Sequence, residues 1–143
     1  GDKAGRKGLA ARYRKGHRGV LSASLALPGV VDLHNGRVSS RVKDLVDIIL
    51  YASHCPIDEV QLRQKLEVEA RMRHKVLPDE FRVPSSWYAD YGDFYKKVAR
   101  DAHVLEICPT LGAAESKCKD LYDPVLRSLC VGHVWNPERW CWE

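Results

Sequence analysis

The apolar residues between positions 42 and 50 restrict the fold more than any other feature of this chain. Five of them share the i, i+3, i+4, i+7, i+8 spacing of one buried helical face: Val42, Leu45, Val46, Ile49 and Leu50. Ser40 precedes them as a good N-cap, and Cys55-Pro56 follows, where the residue before proline is driven out of helical geometry. The spacing predicts a helix over residues 41–52 that packs on a helical core.

Two further helices are predicted after this first one. Asp58 and Gln61 are spaced as in a capping box. They introduce an apolar stripe of Ile57, Leu62, Leu66 and Ala70 that should extend to about His74. An aromatic cluster then leads into a helix through Ala102; its members are Trp87, Tyr88, Tyr91, Phe94 and Tyr95.

The remaining chain carries shorter signals. Residues 103–108 read as a short strand, and residues 30–33 before Asn35-Gly36 could open a hairpin. Beyond 109 we expect short helices interrupted by Gly112, Pro124 and Pro137. The fold class is therefore mainly α with at most a short strand or hairpin. We divide the chain into a basic extended arm (1–18), a connector (19–38), a helical domain (39–108) and a cysteine- and tryptophan-bearing helical segment (109–143).

The charge of the chain is concentrated in the arm. Residues 1–18 hold seven basic side chains and one acidic one, a net +6, whereas the whole chain is only +4. The arm also contains four glycines, so it cannot bury enough surface to fold alone. We predict that it binds a partner: RNA phosphates, anionic lipid head groups or an acidic protein surface. The residues expected to do so are Arg6, Lys7, Arg12, Arg14, Lys15 and Arg18.

Sequence motifs of catalysis are missing: there is no phosphate loop, nucleophile elbow or paired metal-binding histidines. The acidic doublets Asp58-Glu59 and Asp79-Glu80 point apart on a helix, so we assign them to solvated faces. No apolar stretch reaches the length of a membrane span. We predict a non-catalytic protein that uses no cofactor and no metal.

Four of the five cysteines lie in the last 36 residues, at Cys108, Cys118, Cys130 and Cys141. Two antiparallel helices would place Cys108 opposite Cys141 and Cys118 opposite Cys130, which would permit two disulfides. Zinc is an alternative, because Cys130 and His133 form a ligand pair that Cys118 and Cys141 could complete. Reduced thiols packed as small apolar groups are the third possibility.

The spacing of these cysteines resembles the twin Cx9C, or coiled-coil-helix-coiled-coil-helix, family. Nine residues separate Cys108 from Cys118, eleven separate Cys118 from Cys130, and ten separate Cys130 from Cys141. The resemblance implies oxidation in the mitochondrial intermembrane space and a structural role. Such a role is common in respiratory complexes and also occurs in the mitochondrial ribosome.

A second resemblance covers residues 40–108, which are similar to the small winged-helix modules called LOTUS domains. It rests on Tyr88, Tyr91, Gly92, Phe94, Val98, Val104 and Ile107. The resemblance implies binding of RNA or partner proteins. Ordinary helical packing would explain the same positions.

The C-terminus is rich in tryptophan, and we expect it to contact a partner through Trp140 and Trp142. Asn136-Pro137 should turn the chain so that one ring tucks back, whereas Trp142 should find no core on its own chain. The sequence thus favours a structural subunit of a large mitochondrial assembly, with a respiratory-chain complex first. The alternative is an RNA-binding protein, such as a mitochondrial ribosomal subunit, with its arm on rRNA.

Overall fold

The computed structural model describes residues 37–143, and within that range the protein is mainly helical. Five helices and three short strands follow one another: α1 Val38–Ala52, β1 Ile57–Asp58, α2 Glu59–Met72, α3 Ser85–Asp90, α4 Gly92–Asp101, α5 Leu111–Leu126, β2 Val134–Asn136 and β3 Cys141–Trp142. The predicted fold class is confirmed. The basic arm (residues 1–18) and the hairpin predicted at Asn35-Gly36 lie outside the described residues.

Helix α1 forms the centre of the core and packs against α4 and α5. All five residues of the predicted apolar face are buried, and Ile48 is buried beside them. The helix begins earlier than expected, at Val38 after an extended Arg37, so Ser40 lies inside the helix and the N-cap predicted there is wrong. Because an isolated helix of this length is marginal in water, burial of this face accounts for most of its stability.

Helix α2 begins as predicted. The Asp58 carboxylate accepts a hydrogen bond from the Gln61 backbone N–H at 3.0 Å, which satisfies one of the free donors at the helix start. Leu62, Leu66 and Ala70 are buried on one face.

Helices α2, α4 and α5 end in the same way, with a Schellman motif. In each, the residue after the C-cap has a positive φ: His74 (54°), His103 (62°) and Ser128 (56°). The next backbone N–H then bonds back to a carbonyl five residues earlier: Lys75 to Ala70, Val104 to Ala99, and Leu129 to Pro124. Glycine usually occupies this left-handed position because it has no Cβ to clash.

The cap of α4 explains why residues 103–108 are not the strand that we predicted. His103 adopts the left-handed conformation, and Val104 is drawn back under the helix and buried. Residues 105–107 continue as turns. The Tyr95 hydroxyl donates to the Cys108 carbonyl at 2.8 Å, which fixes the end of this segment in the core.

The prediction of several short helices after residue 109 is also wrong. Gly112 and Pro124 both lie inside the 16-residue helix α5, which begins at Leu111. Its N-cap is Thr110, whose hydroxyl accepts from the Ala113 backbone N–H at 3.1 Å. Pro124 is tolerated because it lies in the last turn, where only one intrahelical hydrogen bond is lost.

The last ten residues form a β-hairpin instead of the expected second helix. Strands β1, β2 and β3 make an antiparallel sheet in that order, with Trp135 opposite both Ile57 and Trp142. The hairpin lies against α5. Through this sheet, the C-terminal segment pairs with the stretch between α1 and α2.

Candidate functional site

The C-terminal tryptophans pack on one another and on α5. Trp135 is fully buried, and the rings of Trp140 and Trp142 meet it edge-on at centroid distances of 5.1 and 5.5 Å. Each indole N–H donates to a backbone carbonyl: Trp135 to Ala52, Trp140 to Lys117 and Trp142 to Leu121. The predicted tucking of Trp140 is confirmed. The expectation that Trp142 finds no core on its own chain is wrong, because the β-hairpin returns it to α5.

An open groove of about 600 Å³ lies between the C-terminal half of α5 and this hairpin, and we call it the C-terminal groove. Its lining combines charged, apolar and sulfur-bearing side chains: Lys119, Asp120, Asp123, Pro124, Arg127, Leu129, Cys130, His133, Trp140, Cys141 and Trp142. Trp140 and Trp142 thus present part of their surface to the groove while their N–H groups stay bonded inside the protein.

Three charged side chains of the groove hold the segment that connects α2 to α3. The Asp123 carboxylate accepts from the Phe81 backbone N–H at 2.7 Å. Lys119 donates to the Phe81 carbonyl at 2.6 Å, and Arg127 donates to the Asp79 carbonyl at 3.1 Å. These groups therefore have structural partners already.

Glu80 joins the same network. It pairs with Arg82, with Lys119 at 3.2 Å and with Arg127 at 3.8 Å. Hydrogen bonds from Arg82 and Lys119 hold the pKa of the Glu80 carboxyl below its usual value. The connecting segment is thereby fastened along α5, and the groove wall is fixed.

Three apolar side chains at and after the end of the groove wall are exposed to solvent, and we call them the rim. Leu129 lines the groove and is 71% exposed. Val131 and Val134, on the loop and strand that follow it in sequence, are 54% and 46% exposed. Neighbouring apolar side chains of this kind are typical of protein-binding surfaces.

The five cysteines form no disulfide with one another, so neither expected pair, Cys108–Cys141 or Cys118–Cys130, is bonded in this structure. The pairing assumed two antiparallel helices. Where the second helix was expected, the chain forms a β-hairpin in which Cys141 is exposed. Cys108, Cys118 and Cys130 lie in the core. Cys108, Cys118 and Cys130 are thus packed as small apolar groups, which is the third possibility raised above.

Burial makes the core thiols weakly acidic. Desolvation raises the pKa of Cys108 and of Cys130 to about 11, and nearby Glu59 adds to the effect at Cys130. The pKa of Cys118 is also raised, first by burial and then by Cys108. Because the thiolate is the nucleophile, these three groups are poorly suited to covalent chemistry.

The ligand set proposed for zinc is divided between two places. Cys130, His133 and Cys141 line the groove, whereas Cys118 faces the core from α5. Nowhere in residues 37–143 do three or more His, Cys, Asp or Glu side chains form a group suited to a metal ion.

Glu59 is a buried residue that sequence reasoning missed. We assigned the Asp58-Glu59 doublet to a solvated face, but Glu59 is fully buried. Its carboxylate accepts from Arg63 Nε at 3.0 Å and from the Gly132 N–H at 2.9 Å. Its own N–H donates to the His133 carbonyl at 3.1 Å. Glu59 therefore links α2 to the loop at Gly132, which lies 73 positions later in the chain. Nothing in the sequence around Glu59 indicates this contact.

The positions behind the LOTUS-like resemblance are mostly packing residues. Val104 is buried, and Tyr91, Phe94, Val98 and Ile107 pack partly buried against the core, whereas Tyr88 is exposed. The predicted arm residues lie outside the described part of the chain: Arg6, Lys7, Arg12, Arg14, Lys15 and Arg18.

Comparisons with known proteins do not identify the chain: no family model matches it, and neither the curated proteins nor the solved structures yield a match. Among the helices of residues 37–143, none is long and apolar enough to cross a membrane.

Proposed function

We propose that this protein is a non-catalytic structural subunit of a larger assembly and that it binds a neighbouring protein through the rim of the C-terminal groove. One observation carries the proposal. Lys119, Asp123 and Arg127 of the groove wall are bonded within the protein, while Leu129 in the groove and Val131 and Val134 after it in sequence remain exposed. A surface with most of its charged groups satisfied and its apolar groups open is suited to burial against another protein rather than to chemistry on a substrate.

The basic arm supplies the second contact of this proposal. Fixing the backbone of one residue costs about 1–2 kcal/mol, and isolated surface ion pairs contribute only about 0–1 kcal/mol each. A net charge of +6 over 18 residues therefore calls for a partner surface that is densely anionic. An acidic protein face or anionic lipid head groups would serve.

We extend the proposal to a mitochondrial assembly, with a respiratory-chain complex as the first candidate. This placement is supported by the spacing of Cys108, Cys118, Cys130 and Cys141 alone. The competing function is RNA binding, for example in a mitochondrial ribosomal subunit, and the charge of the arm is the observation that favours it.

Sedimentation of the epitope-tagged full chain from its own cells tests these functions. We expect the chain to sediment with a large assembly and Leu129→Asp to reduce that fraction about tenfold, because a carboxylate would be buried in an apolar contact. The matched control is Ala89→Asp on α3, an exposed apolar position that does not line the groove.

Each proposed contact has its own failing result. A wild-type chain that sediments as a monomer would contradict the subunit function, and equal behaviour of the two aspartate variants would contradict the rim. Deletion of residues 1–18 should weaken assembly without changing the melting temperature. Release of the chain by ribonuclease would replace the protein-binding function by the RNA-binding one.

A further inference from the structure

A second exposed surface lies at the end of α2, where six consecutive residues from Arg71 to Val76 form what we call the basic tip. The Schellman motif fixes its backbone: the His74 N–H donates to the Arg71 carbonyl at 3.1 Å and the Lys75 N–H to the Ala70 carbonyl at 2.9 Å. Its conformation is therefore held before any partner binds, which lowers the entropic cost of association.

The charge of the basic tip is of one sign. Arg71, Arg73, His74 and Lys75 are its polar residues, and no acidic residue occurs between positions 71 and 78. Arg73 pairs with the acid Glu69 of the same helix at 2.6 Å. Cations at a helix C-terminus are favourable in themselves because they complement the helix dipole. The charge alone would therefore need no partner.

The apolar residues of the basic tip have no such explanation. Met72 is 71% exposed and Val76 is 92% exposed, so both stand in water between the cations. Helix α2 buries its other apolar stripe, and neither residue contributes to the core. An apolar centre surrounded by cations is complementary to a surface with apolar residues surrounded by acids.

The composition of the basic tip distinguishes among anionic partners. Nucleic acid would leave Met72 and Val76 in water, and the tip has no Phe, Tyr or Trp for base stacking, its one ring being the His74 imidazole. A bilayer surface is usually bound by a longer amphipathic helix than this single exposed turn. An acidic protein segment would satisfy both the cations and the aliphatic side chains.

We propose that the basic tip is a docking surface for an acidic protein segment, in which Asp or Glu side chains flank apolar ones. This inference rests on the proposed function, because it assigns a third contact to the same subunit. It is independent of the rim, which belongs to the loop after α5 and to strand β2.

Site-specific photo-crosslinking in the full chain tests the proposal. A benzophenone amino acid replaces Val76, a position exposed enough to accept it without disturbing the fold, and in a control chain it replaces exposed Lys97 on α4. After irradiation in the cells that make the protein, mass spectrometry identifies the adducts. We expect position 76 to crosslink to a protein segment rich in Asp and Glu, and Lys97 not to.

Charge reversal then measures the electrostatic part. Arg71→Glu with Lys75→Glu should lower the yield of the position-76 adduct about fivefold or more, whereas Lys96→Glu with Arg100→Glu on α4 should not change it. An adduct with RNA or lipid, an adduct with a non-acidic protein, or a yield unaffected by the reversal would overturn the proposal. If the chain still sediments with a large assembly but position 76 forms no adduct, the docking surface is wrong and the subunit function stands.

Discussion

Replacement of Glu59 should destabilise the protein more than any other single change to an acidic residue of α2. The carboxylate is fully buried and accepts two hydrogen bonds, from Arg63 and from the Gly132 N–H. Hydrogen bonds to charged groups contribute about 1.5–3 kcal/mol each. Glu59→Ala loses both but also relieves the cost of burying a charge, which offsets part of the loss.

We therefore expect the free energy of unfolding to fall by about 2–3 kcal/mol in Glu59→Ala. At about 4 °C per kcal/mol for a domain of this size, the melting temperature should drop by about 10 °C. Glu59→Gln keeps an acceptor for Gly132 but turns an amide N–H toward Arg63, so its loss should be about half as large. Thermal melting followed by circular dichroism, with urea unfolding as a second probe, measures both variants.

The matched control for Glu59 is Glu67→Ala, an exposed acid on the same helix, which should shift stability by less than about 0.5 kcal/mol. If Glu59→Ala melts together with this control, the carboxylate does not tie α2 to the loop. A double-mutant cycle with Arg63→Ala should leave a coupling energy of about 0.5–2 kcal/mol, and a coupling of zero would remove the ion pair from the explanation.

Three further predictions concern the caps, the thiols and the core. Ser128→Gly should raise the free energy of unfolding by about 0.5–1 kcal/mol, because the φ of 56° at Ser128 is a conformation that glycine adopts without strain. Ser116→Gly inside α5 should lower the free energy of unfolding by a similar amount. The same change of stability in both variants would contradict the left-handed cap at Ser128. Alkylation of the native protein near pH 8, read by intact mass, should modify exposed Cys141 first and the four buried thiols only slowly; a mass that shows disulfides would contradict the free-thiol state. Val46→Asp places an unpaired carboxylate in the core and should cost several kcal/mol, and unchanged melting would show that the face is misassigned.

The raised thiol pKa values also give stability a definite pH dependence. A thiol whose pKa is higher in the folded than in the unfolded protein stabilises the fold at pH values below the unfolded pKa. That stabilisation is lost as the pH rises from about 9 toward the folded pKa of about 11. Cys108→Ala should therefore weaken the alkaline fall in stability relative to the wild type, whatever its effect at neutral pH.

Local patterns predicted those parts of the fold that local forces determine. The buried face of α1 followed from helical spacing, and the start of α2 followed from Asp58 and Gln61, because both signals act within a few residues. The ends of α1, α2 and α4 were predicted to within two residues, but their left-handed caps were not, because His74 and His103, like Ser128 after α5, take the position that glycine signals in a sequence. The strand that was wrongly predicted at residues 103–108 is a consequence of the missed cap at His103.

Long-range contacts explain the other differences between prediction and structure. Glu59 is buried only because the loop around Gly132 returns to it, and Trp142 finds a core only because β3 pairs with β2. The cysteine spacing indicated a helical pair, yet the sheet partner of Trp135 is Ile57, 78 positions earlier. No window of sequence around the C-terminal segment contains that partner.

The two surfaces that we assign to partners share a structural origin in the helix caps. A Schellman motif normally buries the residue two positions after the C-cap against the end of its own helix, and α4 follows this rule with Val104. At α5 the same position is Leu129, which stays 71% exposed at the rim of the groove, and at α2 it is Lys75 in the basic tip. The backbone is fixed in both cases, but the side chain is directed to solvent. At both caps an exposed side chain stands on a fixed backbone, which is the arrangement that the proposed subunit would use to bind its neighbours without rearranging.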